Sequence, residues 1–397
     1  GHEYDGRPFM PLNKSDIRQA AKRFQDEEID SVAIVAVFSP LTSECEERAA
    51  EILREVSPDI KLTLSHNLGR VGLLERENAA LLNASLRRLA QSTTLAFTEA
   101  LGTSGIEAPL YMTQNDGTVM RADQAESFPV YSFSSGPTNS MRGAAHLSGL
   151  NDAMVVDVGG TTTDIGHLKA GFPREANTVV EIGGVRTLFR MPDLLSIGLG
   201  GGSLVDTEHH TVGPVSVGYG LTTEALVFGG DQLTATDVGV AAGLSKIGSA
   251  PPSTDSIDEP VISWAMDRIH EMIETNVDRM KVDAIPLPLL AVGGGAFLVP
   301  DSIPGISEVI RLEHGSVANA VGAAIAQVSG EVDQVFSGLG REEALERASS
   351  IARDRAIAAG ADREHLRVVD LEDLPLAYLP GDARRVRVKV VGETVSS

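Results

Sequence analysis

One eight-residue stretch constrains this chain more than any other. Residues 157–164 read Asp-Val-Gly-Gly-Thr-Thr-Thr-Asp, and they directly follow the apolar run at residues 153–156. The apolar run predicts a buried strand, and the paired glycines predict a tight hairpin turn after it. Glycines let backbone N–H groups approach phosphate oxygens, and threonine hydroxyls add further donors. The stretch therefore predicts a hairpin that wraps a phosphate and its metal, with an ordinary Gly-Gly turn as the alternative.

The residue types in this hairpin also suggest individual roles. Asp157 and Asp164 are placed to hold Mg²⁺ or its waters, or to orient an attacking water. The candidate phosphate donors between them are Gly159, Gly160, Thr161, Thr162 and Thr163. Carboxylates next to phosphate donors are typical of nucleotide-dependent catalysis, so we expect an enzyme of that kind.

Two further glycine-rich loops follow apolar segments. The members of the second are Gly200, Gly201, Gly202 and Ser203, and those of the third are Gly293, Gly294 and Gly295. Three such loops at strand ends predict a cleft for a polyanion, because ligands of α/β proteins bind outside the carboxyl ends of strands. Purely structural turns are the alternative. The loops match neither the P-loop pattern nor the dinucleotide fingerprint, so both common nucleotide folds are disfavoured.

The composition narrows the possible partners. The formal net charge is −22, which argues against nucleic acids and anionic membranes because the field of the protein would repel them. A lone cysteine, Cys45, excludes an internal disulfide and a cysteine metal cluster. We find no apolar run of about 18 residues and no signal peptide, and we therefore expect a cytoplasmic protein.

Helices and strands alternate along the chain, as expected of an α/β protein with two or three domains. We predict an αβ segment at 1–68, a core that carries the glycine loops at 69–330, and a small α+β unit at 331–397. A Pro- and Ser-rich linker is expected near 249–256. Residues 314–326 predict a helix of small side chains that packs closely. The alternation at 385–391 predicts a strand with one wet face.

Three weaker candidates lie outside the glycine loops. Asp237 near the start of a predicted helix is a candidate metal ligand, and an ordinary helix N-terminal carboxylate is an equal alternative. His209 and His210 lie near two acidic residues, but an exposed polar loop is favoured over a metal cluster. Asn115 and Asp116 predict a turn, with a substrate role as the minority alternative.

Together these motifs resemble the hydantoinase/oxoprolinase family, and in particular its hydantoinase A subunit. The segments that carry the resemblance are 1–6, 134–137, 157–164, 196–203, 233–237, 293–295, 318–326 and 375–378. The family belongs to the actin, sugar kinase and Hsp70 fold group, so the resemblance implies α/β, actin-like ATPase (ribonuclease H-like) lobes. It further implies that 157–164 is the second phosphate loop, 293–296 the adenosine loop and 318–326 the connecting helix.

The resemblance also implies an activity. Family members typically use ATP, in this case expected with Mg²⁺ or Mn²⁺, to open or carboxylate a cyclic amide or a ketone, often with a second subunit. We therefore expect an ATP-dependent hydrolase that opens a small cyclic amide (a hydantoin, oxoproline or a lactam) through phosphate activation. The alternatives are a nucleotide-binding regulatory or reactivating subunit without catalysis of its own, and an ATP-dependent carboxylase subunit.

A further expectation concerns the phosphate clamp itself. Family members usually carry a first phosphate loop of the type Asp-x-Gly-Gly-Thr well before the segments that match, and the present 397 residues hold no such copy. The resemblance therefore predicts that an upstream segment or another polypeptide supplies it, unless catalysis has been lost. A second subunit or a homo-oligomer is the expected assembly.

Overall fold

A computed structural model describes residues 1–4, 6–69, 72–176, 179–247, 254, 257–282, 284–377 and 381–394. The linker predicted near 249–256 lies outside these residues except for Thr254, and so does the last position of the 375–378 motif. None of the described helices has both the length and the apolar character needed to cross a membrane.

Helices and strands alternate along most of the chain. The helices are α1 (Lys14–Asp26), α2 (Glu44–Val56), α3 (Leu73–Thr103), α4 (Ala122–Ser127), α5 (Ser135–Ser148), α6 (Leu221–Glu224), α7 (Ala235–Ala241), α8 (Glu259–Met280), α9 (Ala318–Ala324) and α10 (Arg341–Ala358). The strands are β1 (Ser31–Ile34), β2 (Lys61–Leu64), β3 (Tyr111–Thr113), β4 (Val119–Arg121), β5 (Ala153–Val158), β6 (Thr163–Lys169), β7 (Phe172–Pro173), β8 (Val180–Ile182), β9 (Val185–Thr187), β10 (Leu194–Ile197), β11 (Ser203–Asp206), β12 (Thr211–Ser216), β13 (Leu287–Val292), β14 (Ile306–Arg311), β15 (Val328–Phe336), β16 (Arg367–Pro375) and β17 (Arg384–Gly392).

The chain forms two compact units. The first comprises Gly1–Phe133, Ala176–Met191 and Gln327–Ser397, and the second comprises Ser134–Glu175 and Pro192–Ala326. These units differ from the predicted division at residues 68 and 330, chiefly because α3 packs against β1 and β2 and therefore belongs with the first unit.

The second unit is built on one mixed sheet. Its strands lie in the order β10-β6-β5-β13-β14, with β7 beside β6. In chain order the five main strands are therefore arranged 3-2-1-4-5, and only β6 runs antiparallel to the others. This is the arrangement of a ribonuclease H-like lobe, and it confirms the predicted fold class.

Both faces of this sheet are covered by helices, so its central strands, β5 and β13, are apolar over most of their length. One face, with Met154, Val156 and Leu289, packs against α8. The other face, with Val155 and Leu290, packs against α5. Burial of each such side chain stabilises the fold by roughly 1.5–3 kcal/mol relative to its exposure.

The close packing predicted for the small-residue helix is present between α5 and α9. A Cβ atom at Gly143 would lie 1.9 Å from the carbonyl oxygen of Ala318, and one at Gly322 would lie 1.8 Å from that of Asn139. The helix is shorter than predicted, because a 3₁₀ turn occupies Gly315–Val317 before α9 begins. The segment at 134–137 leads into the first turn of α5, where proline is tolerated.

The first unit contains a parallel pair, β1 and β2, and a five-stranded sheet in the order β16-β17-β15-β4-β3. Helix α10 covers one face of this sheet with four buried alanines, and its backbone approaches so closely that a Cβ atom at Gly330 would lie 2.2 Å from the carbonyl oxygen of Ala352. The other face carries charged residues.

The prediction of a wet face on the last strand is wrong. Arg387 and Lys389 point to the face opposite α10, yet each is only 3% exposed. Lys389 Nζ lies 2.8 Å from Asp116 Oδ2, and Arg387 Nε lies 3.2 Å from Glu331 Oε1. The alternation of charged and apolar residues therefore reflects paired charges inside the first unit rather than solvent contact.

Candidate functional site

The predicted hairpin is present in the second unit. Strands β5 and β6 pair antiparallel, and residues 159–162 connect them with a turn that the Gly159 amide closes by donating to the Thr162 carbonyl at 2.9 Å. Asp157 lies directly opposite Asp164 in the register. Directly opposed residues of an antiparallel pair share one face, so the hairpin brings the two carboxylates together.

Each carboxylate has a serine partner. The Ser196 hydroxyl of β10 donates to Asp164 Oδ1, and the two residues are opposed in the register of β10 and β6. Ser140 of α5 makes a side-chain hydrogen bond with Asp157. The carboxylates thus lie on the α5 side of the sheet, beyond the apolar cluster that holds Val155.

The electrostatics of the two carboxylates favour a cation. Burial raises the pKa of Asp157, and the Ser140 hydrogen bond only partly opposes the increase. Burial also raises the pKa of Asp164, the Ser196 hydrogen bond opposes it, and the nearby charge of Asp157 raises it further. A divalent cation next to both groups would remove this repulsion and favour their charged forms.

The second glycine loop lies directly beneath the hairpin and supports it. The Gly201 amide donates to the Gly159 carbonyl at 2.9 Å, and the Gly202 amide donates to the Gly160 carbonyl at 2.7 Å. A Cβ atom at Gly200 would lie 2.5 Å from the backbone nitrogen of Thr161. These amides are engaged within the chain, so the geometry favours a supporting role over the direct contact with nucleotide that the sequence predicts.

Two of the predicted hydroxyl donors are also engaged in the fold. The buried Thr163 hydroxyl donates to the Leu199 carbonyl at 2.6 Å, and the buried Ser203 hydroxyl accepts from the Gly200 amide at 2.9 Å. Gly160, Thr161 and Thr162 form the exposed part of the turn. These three residues are therefore the part of the hairpin available to a ligand.

The third glycine loop adjoins Asp157. Gly293 has a φ of +86°, and a Cβ atom there would lie 2.3 Å from Asp157 Oδ1 and also 2.3 Å from the Val158 carbonyl oxygen. The Gly295 amide donates to the same carbonyl at 2.9 Å, while Gly294 is exposed. Only glycine fits at position 293, so the sequence of this loop is dictated by the carboxylate beside it. The structure thus brings all three predicted glycine loops together.

Asp237 belongs to the capping box of a helix. It is fully buried; its Oδ1 accepts from the Val227 amide at 2.7 Å, and its Oδ2 accepts from the Thr234 amide at 2.8 Å and the Thr234 hydroxyl at 2.7 Å. Thr234 and Asp237 form a capping box at the start of α7. The geometry therefore favours the structural alternative over the predicted metal ligand.

The loop that contains His209 and His210 is an exposed polar loop, which is the alternative that the sequence favoured. Residues 207–210 form the exposed turn between β11 and β12, where Asp206 Oδ2 lies 2.8 Å from His209 Nδ1. Within the described ranges, the structure holds no group of three or more His, Cys, Asp or Glu side chains arranged to ligate a metal.

Sequence reasoning gave no role to three residues that shape this site. Ser140 and Ser196 bind the carboxylates, and Thr236 donates from its hydroxyl to the Gly201 carbonyl at 2.8 Å, which fixes the supporting loop to α7. Ser196 borders the second glycine loop in sequence and could have been found from that position. Ser140 precedes the hairpin in sequence and shares no motif with it, so only the packing of α5 identifies it.

Comparison with protein families supports the resemblance. The model of the hydantoinase/oxoprolinase family matches residues 76–248, and the model of the hydantoinase/oxoprolinase N-terminal region matches residues 1–57. Together they cover more than half of the chain. The chain belongs to the hydantoinase/oxoprolinase family.

Two curated relatives are similar to this member of the family. The acetophenone carboxylase gamma subunit of Aromatoleum aromaticum is 26% identical over 60% of this chain and 34% of its own length. The caprolactamase subunit alpha of Pseudomonas jessenii is 26% identical over 73% of this chain and 43% of its own length. The chain thus spans less than half the length of either relative.

Solved structures show the same fold. The ATP-dependent caprolactamase of Pseudomonas jessenii matches 99% of this chain and 69% of its own, with a TM-score of 0.73 at 17% identity. A nucleotide-free acetone carboxylase matches 99% of this chain and 68% of its own, with a TM-score of 0.63 at 16% identity.

Proposed function

We propose that the hairpin between β5 and β6 binds the phosphate end of ATP together with Mg²⁺ or Mn²⁺. The observation that carries this proposal is the pair of opposed, half-buried carboxylates, Asp157 and Asp164, beside an exposed Gly-Thr turn. Burial raises the pKa of both groups, a divalent cation beside them would favour their charged forms, and carboxylate oxygens are the ligands that Mg²⁺ prefers. The residues present therefore fit a magnesium nucleotide.

Within this proposal, each exposed residue has a task. The Gly160 amide and the Thr161 and Thr162 hydroxyls donate to phosphate oxygens, while Asp157 and Asp164 hold the metal with its waters or orient a water. Gly294 and its neighbours flank the adenosine side. When bound, the nucleotide supplies a transferable phosphoryl group. The buried loop at 200–203 keeps the turn rigid, which matters because catalysis of phosphoryl transfer depends mostly on positioning.

We further propose that the protein is an ATP-dependent hydrolase that opens a small cyclic amide. An amide carbonyl is a poor electrophile, and transfer of the phosphoryl group from ATP to its oxygen, with release of ADP, makes the carbonyl carbon electrophilic. Water then adds to that carbon, the ring C–N bond breaks as the leaving amine takes up a proton, and hydrolysis of the resulting acyl phosphate releases phosphate and the carboxylate. The caprolactamase likeness supports this choice, because it covers more of the chain than the carboxylase likeness (73% against 60%) and gives the higher TM-score (0.73 against 0.63).

An ATP-dependent carboxylase subunit is the second candidate. The acetophenone carboxylase gamma subunit is as similar in sequence as the caprolactamase subunit, at 26% identity. In this case the activated oxygen would belong to a ketone, and bicarbonate would be consumed. Both curated relatives are named as subunits, which supports a second subunit as the partner in either reaction.

The test is ATP turnover by the protein together with its partner subunit. A hydrolase predicts ADP release stimulated by caprolactam, hydantoin or oxoproline without bicarbonate. Stimulation by acetone or acetophenone that requires bicarbonate would instead establish the carboxylase. ATP binding without turnover under every condition would contradict both and favour the regulatory alternative.

A further inference from the structure

A second concentration of charge lies in the first unit, on residues with no part in the hairpin site. A pocket of about 360 Å³ opens among α2, β2 and α3, and three cations contribute to its lining: Arg54, Lys61 and Arg87. Among the described residues, Glu47 is the one carboxylate in its lining. The chain as a whole has 55 acidic and 33 basic residues, so this pocket has the opposite charge balance.

Two of the three cations, Lys61 and Arg87, donate hydrogen bonds to neutral partners. Arg87 Nη1 donates to the Leu62 carbonyl at 2.8 Å, and Lys61 Nζ donates to the neutral Gln91 amide oxygen at 2.6 Å. Among the residues that the structure describes, Arg54, Lys61 and Arg87 have no carboxylate oxygen within 4.0 Å. The lining carboxylate, Glu47, instead lies 3.2 Å from His66 Nε2.

The charged groups around Arg87 indicate a site that gains from an anion. Burial lowers the pKa of the Arg87 guanidinium, nearby Glu126 raises it, and the charge of Arg54 lowers it. Glu126 is already engaged, because its Oε1 accepts from the Thr94 hydroxyl. An anion between Arg54 and Arg87 would relieve their mutual repulsion and use the geometry of guanidinium groups, which bind carboxylate and phosphate in a bidentate manner.

The remainder of the lining is apolar. Ile60, Leu62 and Leu64 are buried beneath the cations, and Phe128 lies beside them. An inorganic ion would leave this part of the pocket wet, whereas an organic group would cover it. The volume is of the size that accepts a small organic molecule.

We propose that this pocket binds a small organic anion, with its carboxylate or phosphate group held by Arg54, Lys61 and Arg87 and its apolar part on Ile60, Leu62 and Leu64. All of these residues belong to the first unit, and none belongs to the hairpin.

Isothermal titration of the protein with hexanoate, phenyl phosphate and inorganic phosphate, without nucleotide, tests this proposal. We expect hexanoate or phenyl phosphate to bind more tightly than inorganic phosphate; which of the two binds identifies the anionic group. The double variant Arg54→Gln/Lys61→Gln should weaken that binding by roughly tenfold or more, since a hydrogen bond to a charged group contributes about 1.5–3 kcal/mol. These side chains are partly exposed, so the variant should remain folded.

The matched control is Arg88→Gln, which removes the same charge from a position on α3 outside the pocket. It should bind the probes as the unmodified protein does. Absence of binding by all three probes, or equal binding by the double variant, would overturn the proposal. The variant Asp164→Asn should also retain binding, so failure of this proposal and failure of the nucleotide proposal are distinguishable.

Discussion

Asp116 in the first unit and the two hairpin carboxylates in the second are buried in opposite ways. Asp116 Oδ1 accepts from the Thr118 amide at 2.9 Å, and its Oδ2 lies 2.8 Å from Lys389 Nζ and 3.3 Å from an Arg190 nitrogen. Burial alone would raise its pKa, but the charges of Lys389 and Arg190 outweigh burial and lower it strongly. Among the described residues, no cationic side chain plays that role for Asp157 and Asp164, and their pKa values are raised.

The difference separates a structural carboxylate from one held ready for a ligand. A buried charge whose partners are all supplied by the chain stabilises one packing arrangement, and it has no unpaired charge with which to bind a ligand. A buried charge that the chain leaves without a cation reduces stability, and such groups concentrate at functional sites. Asp237 resembles Asp116 in one respect, because both of its oxygens accept hydrogen bonds from the chain, although its donors are neutral.

The largest expected effect comes from removing the structural carboxylate, Asp116. Asp116→Ala should lower the free energy of unfolding by about 3–5 kcal/mol, because the buried Lys389 would lose its ion pair with Asp116. Urea unfolding at pH 7 measures this loss. The double variant Asp116→Asn/Lys389→Met, which removes both charges, should be less affected. A loss below about 1 kcal/mol for Asp116→Ala would mean that the pair behaves like a surface salt bridge.

A smaller effect is expected at the loop that supports the hairpin. Gly200→Ala places a Cβ atom 2.5 Å from the Thr161 backbone nitrogen, so the turn must shift at a cost of about 1–3 kcal/mol. Gly160→Ala is the matched control, since no atom lies within 4 Å of its Cβ position, and its stability should change by no more than about 0.5 kcal/mol. Equal stabilities of the two variants by thermal unfolding would show that the 200–203 loop does not support the turn.

The smallest expected effect concerns the two hairpin carboxylates, Asp157 and Asp164, and the way their charge changes stability with pH. Consider a carboxyl whose pKa is higher in the folded protein than in the unfolded chain. Its contribution to stability is fully present below the unfolded pKa, about 3.9, and is lost as the pH rises through the folded pKa. Asp157→Asn/Asp164→Asn should therefore raise the free energy of unfolding at pH 7, with a gain that shrinks as the pH falls. Asp116→Asn should show the reverse, a loss at pH 7 that shrinks in acid. Parallel pH profiles for the two variants would contradict the comparison.

Much of the second unit could be predicted from sequence, because its elements are marked by local pattern. The apolar run before Asp157 identified β5, and the paired glycines identified the turn of the hairpin. The fold class followed from the family resemblance and is confirmed by the 3-2-1-4-5 sheet. In the first unit, the apolar run through residues 35–38 predicts a longer β1, but Phe38 has a φ of +54° and the strand ends at Ile34.

What could not be predicted depends on contacts between distant residues. The burial of Arg387 and Lys389 requires Glu331 and Asp116, and no local pattern distinguishes such a strand from one with a wet face. In the same way, the Gly201 and Gly202 amides donate to hairpin carbonyls only because the second glycine loop packs against the hairpin in the folded chain. The sequence therefore identified the loops of the site, whereas the division between exposed donors and supporting residues required the structure.

The central claim is that Asp157 and Asp164 form a metal–nucleotide site, and the most direct test is calorimetric titration of the protein with ATP in the presence and absence of Mg²⁺. The account predicts binding that depends on Mg²⁺ and that Asp164→Asn abolishes, while the same variant remains folded. Binding that Asp164→Asn leaves unchanged, or that proceeds equally well without the metal, would contradict the claim.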